Sequence, residues 1–395
     1  MSNTSFKIPC YTDIKKWCSV PKDKWDSWQW QLQNTVRSAK ELRNILDPIP
    51  MLWTEEIKSV SHITQDFEMK LTPHIVLNIH RAIKLKDYSG VKALLATFVP
   101  TSYEITDSDE NVDAIGEELE CSKPAPLITN FYKTRVLLFA TNTCASYCRF
   151  CFRRRKLGDH VSGKIERGTN KDELHKAIDY IKRNKSIREV IISGGDPLIL
   201  SNESLFLLLQ QLKKIAHIKI LRINTKTLTV FPQRITQELV DVLKKFQPIY
   251  IIGNFLHPIE LTPETLSATS LLIDAGILVF SHTALLRSIN ESPEIISNLM
   301  WSLYVNRIIP YYLIHFIPTK WTEHFRVPIQ RGLEITKHLH GHLSGIANPI
   351  YIAYLPDGGG KVPLSSNYLI ERTGQGYYFE NWEGKKVLIK EPIDL

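Results

Sequence analysis

Six short apolar runs set the strongest limit on what this chain can fold into. They are TRVLLFAT (134–141), REVIIS (188–193), IKILRINT (218–225), PIYIIGNF (248–255), ILVFSHTAL (277–285) and IPYYLIHFI (309–317). Each is nearly continuous in hydrophobicity, which marks strands buried on both faces, as in parallel sheets covered by helices. Helical patterns with start signals lie between them: Asn170 before KDELHKAIDYI, Thr262–Pro263 before ETLSATSLLIDAG, and Ser292–Pro293 before EIISNLMWSLY. Strands alternating with helices predict an α/β protein, either a barrel or an open doubly wound sheet. In both forms, chemistry belongs on loops at the carboxyl ends of the strands.

The flanks read differently. Residues 1–130 are expected to form an N-terminal helical domain. Trp25 to Leu46 carries apolar side chains at helical intervals, and Thr72–Pro73 is a helix start. The acidic, turn-rich stretch TSYEITDSDENVDAIGEELE is expected to be a surface linker. Residues 131–345 hold the strand–helix alternation, and 346–395 form a C-terminal extension with the loop PDGGGK and a polar tail. The 395 residues are 43% hydrophobic and 23% charged, which excludes wholesale disorder and fibrous repeats. The net charge of +8 is spread along the chain without an arm-like run, so a nucleic-acid partner is not expected. No apolar stretch of about 18 residues predicts a membrane span, and the first residues lack an apolar signal core, so a cytoplasmic location is expected.

Six cysteines are too few for a disulfide scaffold, yet three crowd into TNTCASYCRFCFRRR. Cys144, Cys148 and Cys151 form C-x-x-x-C-x-x-C directly after the first strand. Three thiolates on one loop suit three irons of a 4Fe–4S cube and leave the fourth iron open, whereas electron-transfer clusters use four cysteines. An open iron is what a cluster needs to bind and cleave a substrate. The competing readings are unconnected thiols or a zinc knuckle, with His160 or Cys121 as fourth ligand.

Two glycine motifs follow. Ser193-Gly194-Gly195-Asp196-Pro197 ends the second strand, where glycines permit close backbone approach to a ligand, or mark a plain turn. Asp357-Gly358-Gly359-Gly360-Lys361 is a flexible loop, a phosphate contact or the site of a Schiff-base lysine. No G-x-x-x-x-G-K-S/T is present, so a P-loop is not supported.

The cysteine loop resembles the signature of the radical S-adenosylmethionine enzymes. With P-x-GGGK-x-P near the end, the chain resembles the lysine 2,3-aminomutase family within that superfamily. The resemblance covers nearly the whole chain, through WDSWQWQLQN, FPQRIT (231–236), HPIE (257–260), PYYL (310–313), HFR (324–326), GLEI (332–335) and HLSG (342–345). It implies a partial (β/α)6 TIM-like barrel. Its implied cofactors are a 4Fe–4S cluster on Cys144, Cys148 and Cys151, S-adenosyl-L-methionine at Gly194, Gly195 and Asp196, and pyridoxal 5′-phosphate on Lys361. Arg153 matches the arginine that pairs with the amino-acid carboxylate, a match in planar geometry; within RRR it reads alternatively as a solvated basic patch. His257 is either near the cofactors or a packed or surface histidine. A one-electron reductant of flavodoxin or ferredoxin type and a homo-oligomer are also implied.

The departures bear on the substrate. Where lysine-specific members carry two aspartates for the distal ammonium, this chain has Ile317 and Tyr354. An ammonium buried there without a carboxylate costs several kcal/mol, so free lysine is a poor fit. Ile314 stands at a family tyrosine. Lys226 and Asn224 replace the arginine and glycine of R-I-G-T-R, with Lys226 left to serve the cofactor phosphate as a point charge. Cysteines that give some members a carboxy-terminal zinc site are missing. The reading is a 2,3-aminomutase, an isomerase, for an α-amino acid other than lysine with an apolar or hydrogen-bonding side chain; an acidic one reaching Lys320 or His315 stays open. The alternatives are an aminomutase for a protein-bound lysine, a radical enzyme of the same scaffold with another outcome, a radical enzyme modifying nucleic acid, and a non-catalytic metal-binding protein.

Overall fold

The computed structural model describes residues 8–46, 68–105, 111–157 and 170–391. One sheet of nine strands dominates it, with the strands neighbouring one another in chain order. They are β1 (Ile128–Tyr132), β2 (Arg135–Thr141), β3 (Glu189–Gly194), β4 (Ile220–Thr225), β5 (Ile249–Asn254), β6 (Val279–Leu285), β7 (Ile309–His315), β8 (Ile350–Tyr354) and β9 (Lys361–Pro363). The six predicted runs are β2 to β7, and they pair in parallel. β8 adds a further parallel strand beside β7, and β1 and β9 flank the array antiparallel. The Lys361 N–H donates to Tyr132 Oη at 2.8 Å, bringing the last strand against the first. The sheet is therefore curled into a half-barrel, as expected of a partial TIM barrel.

Successive side chains of a strand point to opposite faces, and here the two faces differ in kind. Val136, Val190, Leu221, Ile251, Val279 and Leu313 point outward into the main core, against Leu209, Leu239, Leu272 and Leu299 of the covering helices. Leu137, Ser193, Asn224, Ile252, His282 and Ile314 point inward and line a cavity. The expected helix starts are present. Asn170 accepts from Asp172 N at 2.9 Å, Thr262 from Thr265 N at 3.2 Å, and Ser292 from Ile295 N at 3.3 Å. Thr72 does the same for the helix Pro73–Lys84.

One expectation is corrected and two are sharpened. The Trp25 to Leu46 pattern is distributed over three short helices, Lys22–Trp25, Trp28–Gln33 and Ala39–Leu46. The break falls where Val36 exchanges two backbone hydrogen bonds with Leu71, at 2.8 and 2.9 Å, which a continuous helix cannot do. The supposed surface linker is partly interior, since Ala114, Ile115 and Glu117 are buried. The polar tail forms a separate antiparallel sheet of β10 (Leu369–Thr373), β11 (Gly376–Glu380) and β12 (Lys386–Lys390). Trp17, Trp25, Leu42, Ile75 and Phe98 of the N-terminal region share a second core with Ala145 and Phe231, so these helices pack on loops at the carboxyl end of the half-barrel. Among the described residues, no helix is long and apolar enough to cross a membrane.

Ile251 is fully buried in the middle of the parallel array. Ile251→Ala is expected to lower stability by roughly 2–5 kcal/mol, read as a fall in the urea midpoint of unfolding.

Candidate active site

The inward faces of the strands and the loops at their carboxyl ends enclose a cavity of about 260 Å³. Cys144, Cys148 and Cys151 line it, together with Arg153, Gly194, Gly195, Asp196, Lys226, Ile317 and Tyr354. The fold thus gathers ten of the residues singled out in the sequence. Ile314 and His315 also face this space, while Lys320 does not. Lys361 stands just beside the cavity. Its Nζ lies 4.9 Å from the ring centres of both Tyr354, which lines the cavity, and Tyr312. His257 is outside: its Nδ1 accepts from Ile259 N at 3.2 Å and its Nε2 lies 3.4 Å from Ser89 Oγ, a packed helix-capping histidine. His160 falls outside the described residues, and Cys121 is exposed.

The cysteine loop is pinned from outside. The Lys70 ammonium donates to the Cys144 carbonyl at 2.8 Å, Tyr147 N to Lys70 O at 3.1 Å and Arg149 N to Thr97 O at 2.7 Å. From inside the barrel, the glycine turn is pressed against the residues leading into the loop. Gly195 N donates to Thr141 O at 2.5 Å and Asp196 N to Thr143 O at 2.8 Å. Gly194 has φ +124, and a Cβ on Gly194 or Gly195 would strike Thr141 O or Thr143 O. The glycines are thus required by the approach of two backbones, in addition to any ligand they face. Asp196 completes the clamp. Its carboxylate accepts from Leu198 N, Thr225 Oγ1, Lys226 N and Thr227 N at 2.7–3.1 Å.

Burial raises the pKa of all three thiols, Cys148 to about 12, so each holds its proton near neutrality in the absence of a metal. None is in a disulfide. Among the described residues, no three His, Cys, Asp or Glu side chains converge on one point as a single ion requires. A cube needs something else, three thiols around a void, each reaching a different iron. Cys144, Cys148 and Cys151 all line the one cavity. Further in, Asn224 Oδ1, Asn254 Oδ1 and His282 Nε2 are buried without a protein partner, and all three residues line the cavity. Each such orphan costs on the order of 1–3 kcal/mol until a polar ligand satisfies it. The cavity therefore fits a sulfur-ligated cluster beside a polar, hydrogen-bonding ligand.

The charged groups on the cavity wall are already paired. Arg153 meets Glu117, Nη2 to Oε1 at 2.6 Å. Lys226 Nζ donates to Glu260 at 2.7 Å, and to Asn254 O and Thr229 Oγ1 at 3.2 Å. Tyr351 Oη is 2.8 Å from His315 Nδ1. Burial, reinforced by the nearby Arg222 guanidinium, brings the Lys361 ammonium down to about 8. Such a lysine holds a nucleophilic free amine at mildly alkaline pH. Sequence reasoning did not single out Glu117, Asn254, His282 or Arg222. For the last three, the signal was alternation along strands β4 to β6, which places them on the same face as Asn224 and Ile252.

Similarity to known proteins agrees with this geometry. The Radical SAM superfamily model matches residues 138–260, and the Lysine-2,3-aminomutase model matches residues 336–395. The chain is 36% identical to the L-lysine 2,3-aminomutase of Fusobacterium nucleatum, over 95% of this chain and 84% of that one. It is 38% identical to a putative L-lysine 2,3-aminomutase of Aquifex aeolicus, over 93% and 96%. It is 35% identical to the glutamate 2,3-aminomutase of Clostridioides difficile, over 94% and 84%. The chain belongs to the lysine 2,3-aminomutase family of radical S-adenosylmethionine enzymes, and is an aminomutase.

Gly195→Ala drives a methyl group into rigid backbone at Thr143 and shifts the entry to the cysteine loop. The variant is expected to hold less than half the iron of wild type after anaerobic reconstitution, measured by iron and sulfide content of folded protein.

Proposed function

We propose that this aminomutase converts an α-amino acid other than free lysine into its β-amino isomer. The supporting observation is the shared location of the two motifs: Tyr354 lines the cavity with the three cysteines and also abuts the Lys361 amine. In this reading Cys144, Cys148 and Cys151 hold a 4Fe–4S cluster, the turn Gly194–Gly195–Asp196 receives S-adenosylmethionine, and Lys361 holds pyridoxal 5′-phosphate, whereas the three donors of Lys226 are already taken by Glu260, Asn254 and Thr229. When bound, these groups supply a hydrogen-abstracting radical and a conjugated ring that spreads an unpaired electron. A small one-electron reductant feeds the cluster.

The protein's own part is to bind, orient and exclude. Arg153 takes the substrate carboxylate and fixes the β-carbon toward the cysteines. Ile314, Ile317 and Tyr354 wall the space open to the substrate side chain. Burial holds the Tyr354 phenol up near about 12, so it stays neutral. Among the described residues, no carboxylate on the cavity wall is available to a distal ammonium, because the Asp196 carboxylate is engaged by its four donors. Relatives named for lysine and for glutamate match at 36% and 35% identity, so overall similarity does not choose between them. The wall favours a neutral side chain, with His315 and His282 the imidazoles that line it.

Anaerobic incubation with each common amino acid, followed by mass-resolved detection of β-amino isomers, tests the reading. Turnover of a neutral amino acid at least tenfold faster than lysine is expected, and preferential turnover of lysine sinks it. Lys361→Ala is expected to abolish the visible absorbance of lysine-bound pyridoxal phosphate while leaving the iron–sulfur band, and Cys148→Ala to do the reverse. Because the Lys361 ammonium loses its proton near pH 8 rather than near 10.5, uptake of pyridoxal phosphate is expected to rise through about pH 8 and then level off. Arg222→Gln removes a repelling charge and is expected to move that midpoint upward, as followed by stopped-flow absorbance.

A further inference from the structure

Arg153 has a neighbour that no motif assigns a role. Glu117 lies 36 residues earlier, with its side chain 1% exposed. Its carboxylate takes the side edge of the guanidinium: Arg153 Nε donates at 3.0 and 3.1 Å, and Nη2 at 2.6 Å. Arg153 Nη1 donates to Ser193 Oγ at 3.0 Å, on the strand that ends in the glycine turn. A guanidinium has five N–H donors. Glu117 and Ser193 engage one on Nε, one on Nη2 and one on Nη1. Two remain, one on each terminal nitrogen. Arg153 lines the cavity and Glu117 does not, so the carboxylate grips the arginine from behind.

The segment carrying Glu117 is itself fastened at both ends of the site. Asp113 Oδ1 accepts from Arg155 Nη2 at 2.7 Å, and Glu118 pairs with Lys156, both next to the last cysteine. The Ile115 carbonyl accepts from Gly358 N at 3.1 Å, in the glycine loop before Lys361. Gly116 packs so tightly on that loop that a Cβ would sit 2.6 Å from Gly358 N. One strap thus spans the cysteine loop and the lysine loop, with Glu117 at its centre. Against the push of burial, the Arg153 guanidinium keeps the Glu117 carboxyl below its usual range, so the pair stays ionised at neutral pH.

We propose that Glu117 is a positioning residue for Arg153: it occupies the Nε–Nη2 edge and so turns the two remaining terminal N–H donors toward the carboxylate of the amino-acid substrate. This rests on the aminomutase reading and on Arg153 as carboxylate partner. Without Glu117 the guanidinium rotates about its long stem, and a carboxylate meets it in no fixed orientation. Charge-assisted hydrogen bonds of this kind are worth about tenfold or more in affinity.

The test is titration calorimetry of anaerobically reconstituted holoenzyme with L-leucine and with L-leucinamide, which differ only in the carboxylate. Wild type is expected to prefer the acid by about tenfold or more, and Glu117→Gln to bring the ratio within about twofold. Arg153→Lys, which keeps the charge but loses the fork, is expected to lose the preference as well. The double variant is expected to be no worse than either single one, since both act through the same donors. A preference unchanged in Glu117→Gln, with only a lowered melting temperature, overturns the proposal. So does a double variant whose loss is the product of the two. Failure of the aminomutase reading is seen separately, as absence of β-amino products across the amino-acid panel, while the acid-to-amide ratio still reports on Glu117.

Discussion

The carboxylate of Asp196 governs the geometry of the site. It stands just beyond β3 and gathers donors from the end of β4 and the residues that follow, while its own backbone N–H is tied to Thr143 beyond β2. Three successive strand ends are thereby locked in depth relative to one another. Parallel strands alone do not fix how their terminal loops lie; a buried acceptor with four donors does. The cysteine loop, which leaves the end of β2, is positioned by this lock on one side and by the Lys70 and Thr97 contacts on the other.

Around that frame the cavity is electrostatically quiet. Arg153 with Glu117, Lys226 with Glu260 and Asp196 with its amides and hydroxyl are charges already matched, which is what burial demands. The unmatched groups are neutral: Asn224, Asn254 and His282, on three adjacent strands. Such a wall orients a ligand by hydrogen bonds and shape, and leaves hard bond-breaking to tightly held cofactors. The family implies that kind of cofactor, and the chain supplies the prearranged surroundings.

Much of this was legible in the sequence because it is local. Continuous apolar runs announce β2 to β7, Ser or Thr before Pro announces helix starts, and the cysteine spacing is complete within eight residues. What escaped depends on distant partners. β8 has only five residues, bounded by Pro349 and Pro356, and is a strand because β7 and β9 hydrogen-bond to it. The helical pattern of Trp25 to Leu46 is interrupted where Val36 pairs with Leu71. Glu117 sits in a polar, acidic stretch that reads as a solvated linker until Arg153, Arg155 and Lys156 are folded onto it. The place of Lys361 beside the cysteines' cavity likewise needs the curl of the sheet, which brings Tyr132 of the first strand to the last. In the glycine turn, one reason for the residues lies in a neighbouring backbone that spacing does not reveal.

The three buried thiols carry a consequence for assembly. Because each keeps its hydrogen at neutral pH, any centre that takes them up as thiolates must expel three hydrogen ions to solvent. Acidity then competes directly with iron for the same sulfur atoms, and each unit of pH changes the balance by as much as a thousandfold, ten for each sulfur.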